Sequence, residues 1–350
     1  MPRGPCSGCP IGAGSQARGA DRANPVLAEV IRSGHTESWH RGSLVVLGAD
    51  GSALLSAGVV DLPMFPRSSN KPMQATAMLG CGLDLPDERL IALAAASHSG
   101  EDFHIAGVRK ILGGAGLAES DLQCPPDLPL DDEAKAELLG GGGKRDRVHM
   151  NCSGKHAAML ATCVAAGWPT ASYRDPDHPL QRQIKATIER LADESVAAIG
   201  VDGCGAPLMA LSLTGLARAF AAIVASPASS AALLVANAMR GYPAWMSGTR
   251  RYEAALMNAV PGMLMKPGAD GVCAFALADG RAAAVKIDDG AQRAVAPVMA
   301  ALLRELVAAE PGALGADGVD VGALDELAIG PVLGGGQPVG EVRPILPGLE

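Results

Sequence analysis

Strand-like patterning in this chain is confined to its two ends, and that arrangement limits the available folds more than any single motif does. Near the start, residues 43–47 and 53–56 flank Asp50-Gly51. This is a hairpin signature, because glycine reaches the positive backbone angles that a tight turn requires. Near the end, residues 271–277 and 282–287 flank Asp279-Gly280 in the same way, and 339–343 reads as a last strand. Between these ends apolar residues recur at helical spacing. Helices are expected over 71–80, 87–96, 103–117 and up to about 166, then repeatedly between 180 and about 257. Residues 292–309 form a long amphipathic helix before the last strand. The order predicts an α+β fold, with an antiparallel sheet built from both chain ends and a helical lobe inserted over roughly 100–260.

Composition narrows the possible roles. With 350 residues, 48% apolar and 19% charged, the chain can bury a substantial core. Aromatics are only 3%, so that core is aliphatic and stacking on nucleic-acid bases is not expected. A net charge of −8 argues against nucleic acid and against an anionic membrane surface as partners. Residues 219–239 carry no charge, but Pro227 and several serines interrupt them. They read as two buried helices joined at Ser226-Pro227 rather than a membrane span. Residues 1–23 are rich in Gly, Pro, Ser and Arg, lack the apolar run of a secretory signal, and read as a disordered tail. The Cys6/Cys9 pair within them has no second Cys/His pair nearby and reads as incidental. The remainder, 24–350, is expected to be a single domain. Eight cysteines without an export signal suggest reduced thiols and a cytoplasmic location.

Two constellations carry chemistry. The first is Ser68-x-x-Lys71, followed by Ser97-x-Ser99 and then Lys266-Pro267-Gly268 beside a strand. Residues three apart share a helix face, so a neutral Lys71 amine could take the Ser68 proton without any histidine. The order parallels the motifs of serine β-lactamases and penicillin-binding proteins, in which a second serine relays protons. The later lysine would add positive potential that keeps its neighbour neutral. Taken singly, Ser97 reads equally well as a helix cap and Lys266 as a solvated surface lysine. The sequence departs from the β-lactamase pattern in having Ser99 where asparagine is usual and a shorter gap between the first two motifs.

The second constellation is Cys152-x-x-Lys155-His156 with Asp202-Gly203-Cys204-Gly205. Two thiolates and one nitrogen leave a fourth coordination position open, as a functional zinc site requires. His156 is the conventional nitrogen donor, and Lys155 would first have to lose its proton. Both remain open, as does the plainer reading of two buried small hydrophobes. Cys81, Cys163 and Cys273 lie in apolar runs and read as core, and His178 as a turn or helix start. The four-glycine run 140–143 lacks a phosphate loop's trailing Lys-Ser/Thr and reads as a linker.

Together these segments resemble the L-asparaginase II family of the rhizobial type. The resemblance rests on Arg67-Ser68-x-x-Lys71-Pro72-x-Gln74, Ala96-Ser97-His98-Ser99-Gly100-Glu101, Asn151-Cys152-Ser153-Gly154-Lys155-His156, Asp177-His178-Pro179, Asp202-Gly203-Cys204 and Val339-Gly340-Glu341-Val342-Arg343-Pro344. It implies a serine-β-lactamase-like fold, a homodimer, and hydrolysis of L-asparagine to L-aspartate and ammonia. Ser68 and Lys71 would form one Ser–Lys tandem, and Ser97 and Lys266 the second. Cys152, Lys155 and Cys204 would hold one zinc ion, which favours Lys155 over His156. Arg67, His156 and Asp202 would line the substrate pocket. Two other classes fit the same residues: a β-lactamase or amino-acid amidase on this scaffold, and a non-catalytic zinc- or amino-acid-binding protein.

Overall fold

A computed structural model describes residues 23–309 and 318–348. The Cys6/Cys9 pair lies outside them. Among the described residues there are ten strands: β1 (Val26–Arg32), β2 (His35–Leu47), β3 (Ala53–Ala57), β4 (Ala198–Val201), β5 (Pro207–Ala210), β6 (Leu264–Pro267), β7 (Val272–Ala276), β8 (Ala282–Ile287), β9 (Gly330–Gly334) and β10 (Gln337–Pro344). Eight of them form one antiparallel sheet in the order β6-β7-β8-β2-β1-β10-β9, with β3 paired to β2. Both chain ends therefore contribute, as the patterning predicts. The two hairpins expected from Asp50-Gly51 and Asp279-Gly280 are β2–β3 and β7–β8, and Gly51 and Gly280 adopt φ of 81° and 97°.

β2 links the two halves of the sheet. Its first half pairs with β1, whereas residues 42–47 pair with β8 on one side and β3 on the other. The change of partner falls at Gly42, where a β-carbon would lie 2.3 Å from the Lys286 carbonyl oxygen. Only glycine allows the two backbones to approach so closely.

The helices are α1 (Lys71–Gly80), α2 (Glu88–Ala94), α3 (Asp102–Gly114), α4 (Asp132–Gly140), α5 (Ser153–Ala166), α6 (Pro179–Ala192), α7 (Leu213–Val224), α8 (Ala231–Gly241), α9 (Pro243–Met246), α10 (Tyr252–Ala259), α11 (Val295–Ala309) and α12 (Val321–Leu327). The inserted helices thus begin at Lys71, before the expected lobe boundary. Every residue of β6 and β7 is buried, which requires cover on both sheet faces. α7 packs on β2, β7 and β8, while α11 packs on β1, β7, β8 and β10. The expected joint at Ser226-Pro227 separates α7 from α8. No helix among the described residues is long and apolar enough to cross a membrane.

Candidate active site

Ser68 lies in a 3₁₀ turn, Arg67–Asn70, that leads directly into α1. Pro72 is tolerated in the first turn of α1, where its missing N–H would have no partner anyway. Arg67 takes φ of 54°, the left-handed region that a branched or long side chain occupies at a cost of about 1–2 kcal/mol. Its guanidinium is held from two sides, by Asp202 at 2.9 Å and by Asp270. The Ser69 hydroxyl and amide both donate to the Pro66 carbonyl, at 2.6 and 3.2 Å, closing the turn. Gly268 packs against it so closely that a β-carbon would lie 2.5 Å from the Pro66 oxygen.

Lys71 opens α1 and is fully buried. Its amine donates to the Ala96 carbonyl (2.6 Å), Ser97 Oγ (2.9 Å) and Cys152 Sγ (3.1 Å). Three acceptors match the three hydrogens of an ammonium group. Ser68 makes no side-chain hydrogen bond among the described residues, so the Ser68–Lys71 contact expected from their spacing is not formed. Ser68 lies within the 3₁₀ turn and Lys71 opens α1, where the amine meets Ser97 instead.

Ser97 is not a helix cap. The segment after α2 is held extended by backbone bonds from Ser97 N to Met246 O, His98 N to Asn151 O and Ser99 N to Ser247 O. The Ser97 hydroxyl meets the Lys71 amine, while the Ser99 hydroxyl donates to Glu101 at 2.5 Å. Lys266, on β6, is fully buried rather than solvated. Its amine donates to Ser97 Oγ and the Pro267 carbonyl, each at 3.0 Å. Ser97 Oγ is therefore clasped between two lysines. Burial, and then the positive charge of Lys71, push the Lys266 amine down to about 7. The amine that burial pushes down is that of Lys266, the residue that the motif order casts as the source of positive charge.

Ser68, Ser97 and Lys266 open into one cavity of about 1010 Å³, with Asn151, Gly268 and Asp270 also on its wall.

The cysteine cluster lies on the other side of Lys71. Cys152 caps α5, which ends at Gly167 in the left-handed conformation. Cys204 sits in the tight turn between β4 and β5, closed by Gly205 N to Asp202 O at 2.8 Å. Paired backbone bonds between Met64 and Leu211 tie that hairpin to the segment leading to Ser68. Lys155 Nζ lies 3.1 Å from Cys204 Sγ. The Cys152 thiol donates to Asn151 Oδ1 at 3.1 Å; its contact with Cys204 and its burial push it up, while the contact with Cys152 holds the Cys204 thiol well below the ordinary thiol range. Burial opposes charge on Lys155, but the neighbouring sulfurs and Asp202 outweigh it and keep its amine above the ordinary lysine range.

Cys152, Lys155 and Cys204 are the residues that would hold a zinc ion. Among the described residues no group of three or more His, Cys, Asp or Glu could hold a metal, so any site here must recruit the lysine. The 3.1 Å N···S separation lies within about half an ångström of a zinc tetrahedron's edge, roughly 3.5 Å from typical Zn–N and Zn–S lengths. The Lys155 ammonium donates toward Cys204, and zinc binding there would release that proton. His156 Nδ1 lies 2.6 Å from Tyr173 OH, which also accepts from Gln123 N, and its Nε2 is buried with no hydrogen-bond partner among the described residues.

The structure thus brings together Ser97, Lys71 and Lys266, with Ser68 on the same cavity, and Cys152, Lys155 and Cys204 with His156, Asp202 and Arg67. His178 caps α6, its ring accepting from Leu180 N. Sequence reasoning passed over Asn151 as a site residue, although it lies within a quoted motif. It also passed over Tyr173 and Asp270, which lack any patterned neighbour.

No curated protein sequence matches the chain. Solved structures similar to it include a beta-lactamase from Mycobacterium bovis, at 16% identity and a TM-score of 0.43, covering 77% of this chain and 94% of that one. Mglu in its glutamate form matches at 15% identity and a TM-score of 0.42, covering 80% of this chain and 62% of that one. The family model for L-asparaginase II matches residues 28–344, nearly the whole chain, and the protein belongs to that family of hydrolases.

Proposed function

We propose that the protein is an L-asparagine amidohydrolase, releasing L-aspartate and ammonia. The observation that carries this reading is the Ser97 hydroxyl held between two buried lysines on the cavity that also contains Ser68. Burying lysines is costly for a fold, and such groups gather where chemistry uses them.

In this reading Ser68 attacks the side-chain amide carbon of asparagine, forming an ester. The Ser68 proton passes through Ser97 to Lys266, whose value near 7 makes it a usable base at neutral pH. The C–N bond then breaks, and the departing amine takes the proton back and leaves as ammonia. Water hydrolyses the ester, releasing aspartate and restoring the serine. Arg67, His156 and Asp202 bind the amino-acid end of the substrate. Zinc held by Cys152, Lys155 and Cys204 would supply a fixed positive charge for orienting the substrate's α-substituents. A reduced, cytoplasmic setting suits such thiolates, and the family resemblance favours a homodimer.

The test is a parallel assay of purified protein with L-asparagine and with a chromogenic β-lactam. Ammonia from asparagine without β-lactam opening supports the reading. β-Lactam opening without ammonia moves the protein to the other hydrolase class. Asparagine binding without turnover makes it a sensor.

A further inference from the structure

The cavity at Ser68 and Ser97 is much larger than a single amino acid requires. At about 1010 Å³ it lies at the upper end of the range that holds drug-sized ligands. None of Cys152, Lys155, His156, Asp202 or Cys204 lines it. If that cluster holds the amino-acid end of the substrate, as proposed above, the space beyond Lys266 faces whatever leaves with the amide nitrogen.

That space has a definite chemistry. One wall is apolar, formed by Leu327 at the end of α12 and by Pro331, Val332 and Val342 from β9 and β10. Three arginines and one further acid also line it. Arg32 is paired with Glu37 at 3.1 Å, and Arg251 with the fully buried Glu253 at 3.1 Å. Glu326 is the acid. Arg293 differs from the other two arginines: among the described residues no carboxylate forms an ion pair with it. Its Nε donates to His40 Nε2 at 2.9 Å, and one terminal nitrogen reaches Ser38 Oγ at 3.4 Å. Because His40 accepts there, its other nitrogen carries the hydrogen and donates to Asp289 at 2.7 Å. The buried His40 ring thus fixes the guanidinium from behind. The carboxylate that anchors the ring bonds its far side, and the other terminal nitrogen of Arg293 has no protein partner among the described residues and is left for a ligand.

We propose that this arm is a leaving-group subsite, so that the protein also cleaves β-aspartyl amides whose amine carries a carboxylate on an aliphatic body. The carboxylate pairs with Arg293 and the aliphatic part lies on the Leu327/Val332 wall. The chemistry is that proposed for asparagine. The Ser68 oxygen forms the ester, the C–N bond breaks, the amine takes the proton from the lysine pair, and water releases aspartate. The free amino acid leaves in place of ammonia.

The proposal rests on the asparaginase reading, and one experiment separates the two. Purified protein is given L-asparagine, β-aspartyl-leucine, and β-aspartyl isoamylamide, which has the same aliphatic body without the carboxylate. Amines and aspartate are quantified by chromatography. The expected result is cleavage of β-aspartyl-leucine with a higher kcat/KM than the isoamylamide. In R293Q the ratio of the two kcat/KM values should fall about tenfold, the lower end for losing a charge-assisted hydrogen bond at a partly exposed site. Ammonia from asparagine with no cleavage of β-aspartyl-leucine overturns the subsite. So does a ratio unchanged in R293Q, including the case where both amides lose activity equally. Cleavage of β-aspartyl-leucine without ammonia from asparagine keeps the subsite and overturns asparagine as substrate. No cleavage of any of the three overturns both.

Discussion

Replacing Lys266 with methionine tests the electrostatics of the site without reference to substrate. The side chain is fully buried on β6, and methionine fills a similar volume without a titrating group. In the folded protein the Lys266 amine is pushed down to about 7 from an ordinary 10.5, first by burial and then by Lys71. Between those values the unfolded chain holds a proton that the folded chain has released. This group therefore makes the fold more stable as pH rises through that window, and costs it stability below. A full pH unit in the middle of the window is worth about 1.4 kcal/mol. From pH 7, where the group is half protonated in the fold, to pH 9 the gain is about 2 kcal/mol. Urea unfolding of wild type and K266M at both pH values gives the double difference, in which titrating groups away from Lys266 cancel. Wild type should gain about 2 kcal/mol relative to K266M. A difference near zero, or of opposite sign, would mean that the buried amine keeps its proton and cannot act as the base.

Four further outcomes follow. Asparagine turnover by the wild type should rise as pH passes through about 7, as Lys266 loses its proton, and a flat profile from pH 6 to 8 would contradict this. S97A removes the hydroxyl that accepts from both lysines, and should lower kcat by about 10²–10⁴ while circular dichroism stays native. G268A sets a β-carbon against the Pro66 backbone and must displace the Ser68 turn. Roughly hundredfold lower kcat is expected, with helix content unchanged. Protein purified without chelators should carry about one zinc per chain by elemental analysis, and C204S less than about a tenth of that.

Much of the fold was legible because its determinants are local. The Asp-Gly turns marked β2–β3 and β7–β8, and the apolar spacing marked α3, α5 and α11. The short strands were not legible. β4, β5 and β6 have four residues each, too few for alternation to stand out, and β4–β5 lies in a stretch read as helices and loops. β1 and β9 gain their definition from partners distant in sequence. In the site, motif spacing identified the serines, lysines and cysteines but not which amine meets which hydroxyl. The Ser68–Lys71 spacing pointed to a direct contact, whereas Lys71 is turned to Ser97 and Cys152 by acceptors 26 and 81 residues away. Likewise, nothing in an isolated Tyr173 announces its 2.6 Å contact with His156 Nδ1.

The central claim, that a serine on this cavity attacks a side-chain amide, is tested most directly by ammonia release from L-asparagine by wild type and S68A at pH 8. Wild type should release ammonia stoichiometric with aspartate. S68A should fall to the background rate with an unchanged unfolding midpoint, because its hydroxyl makes no hydrogen bond among the described residues. Wild-type turnover retained in S68A would contradict the assignment, and would leave Ser97 as the serine that attacks.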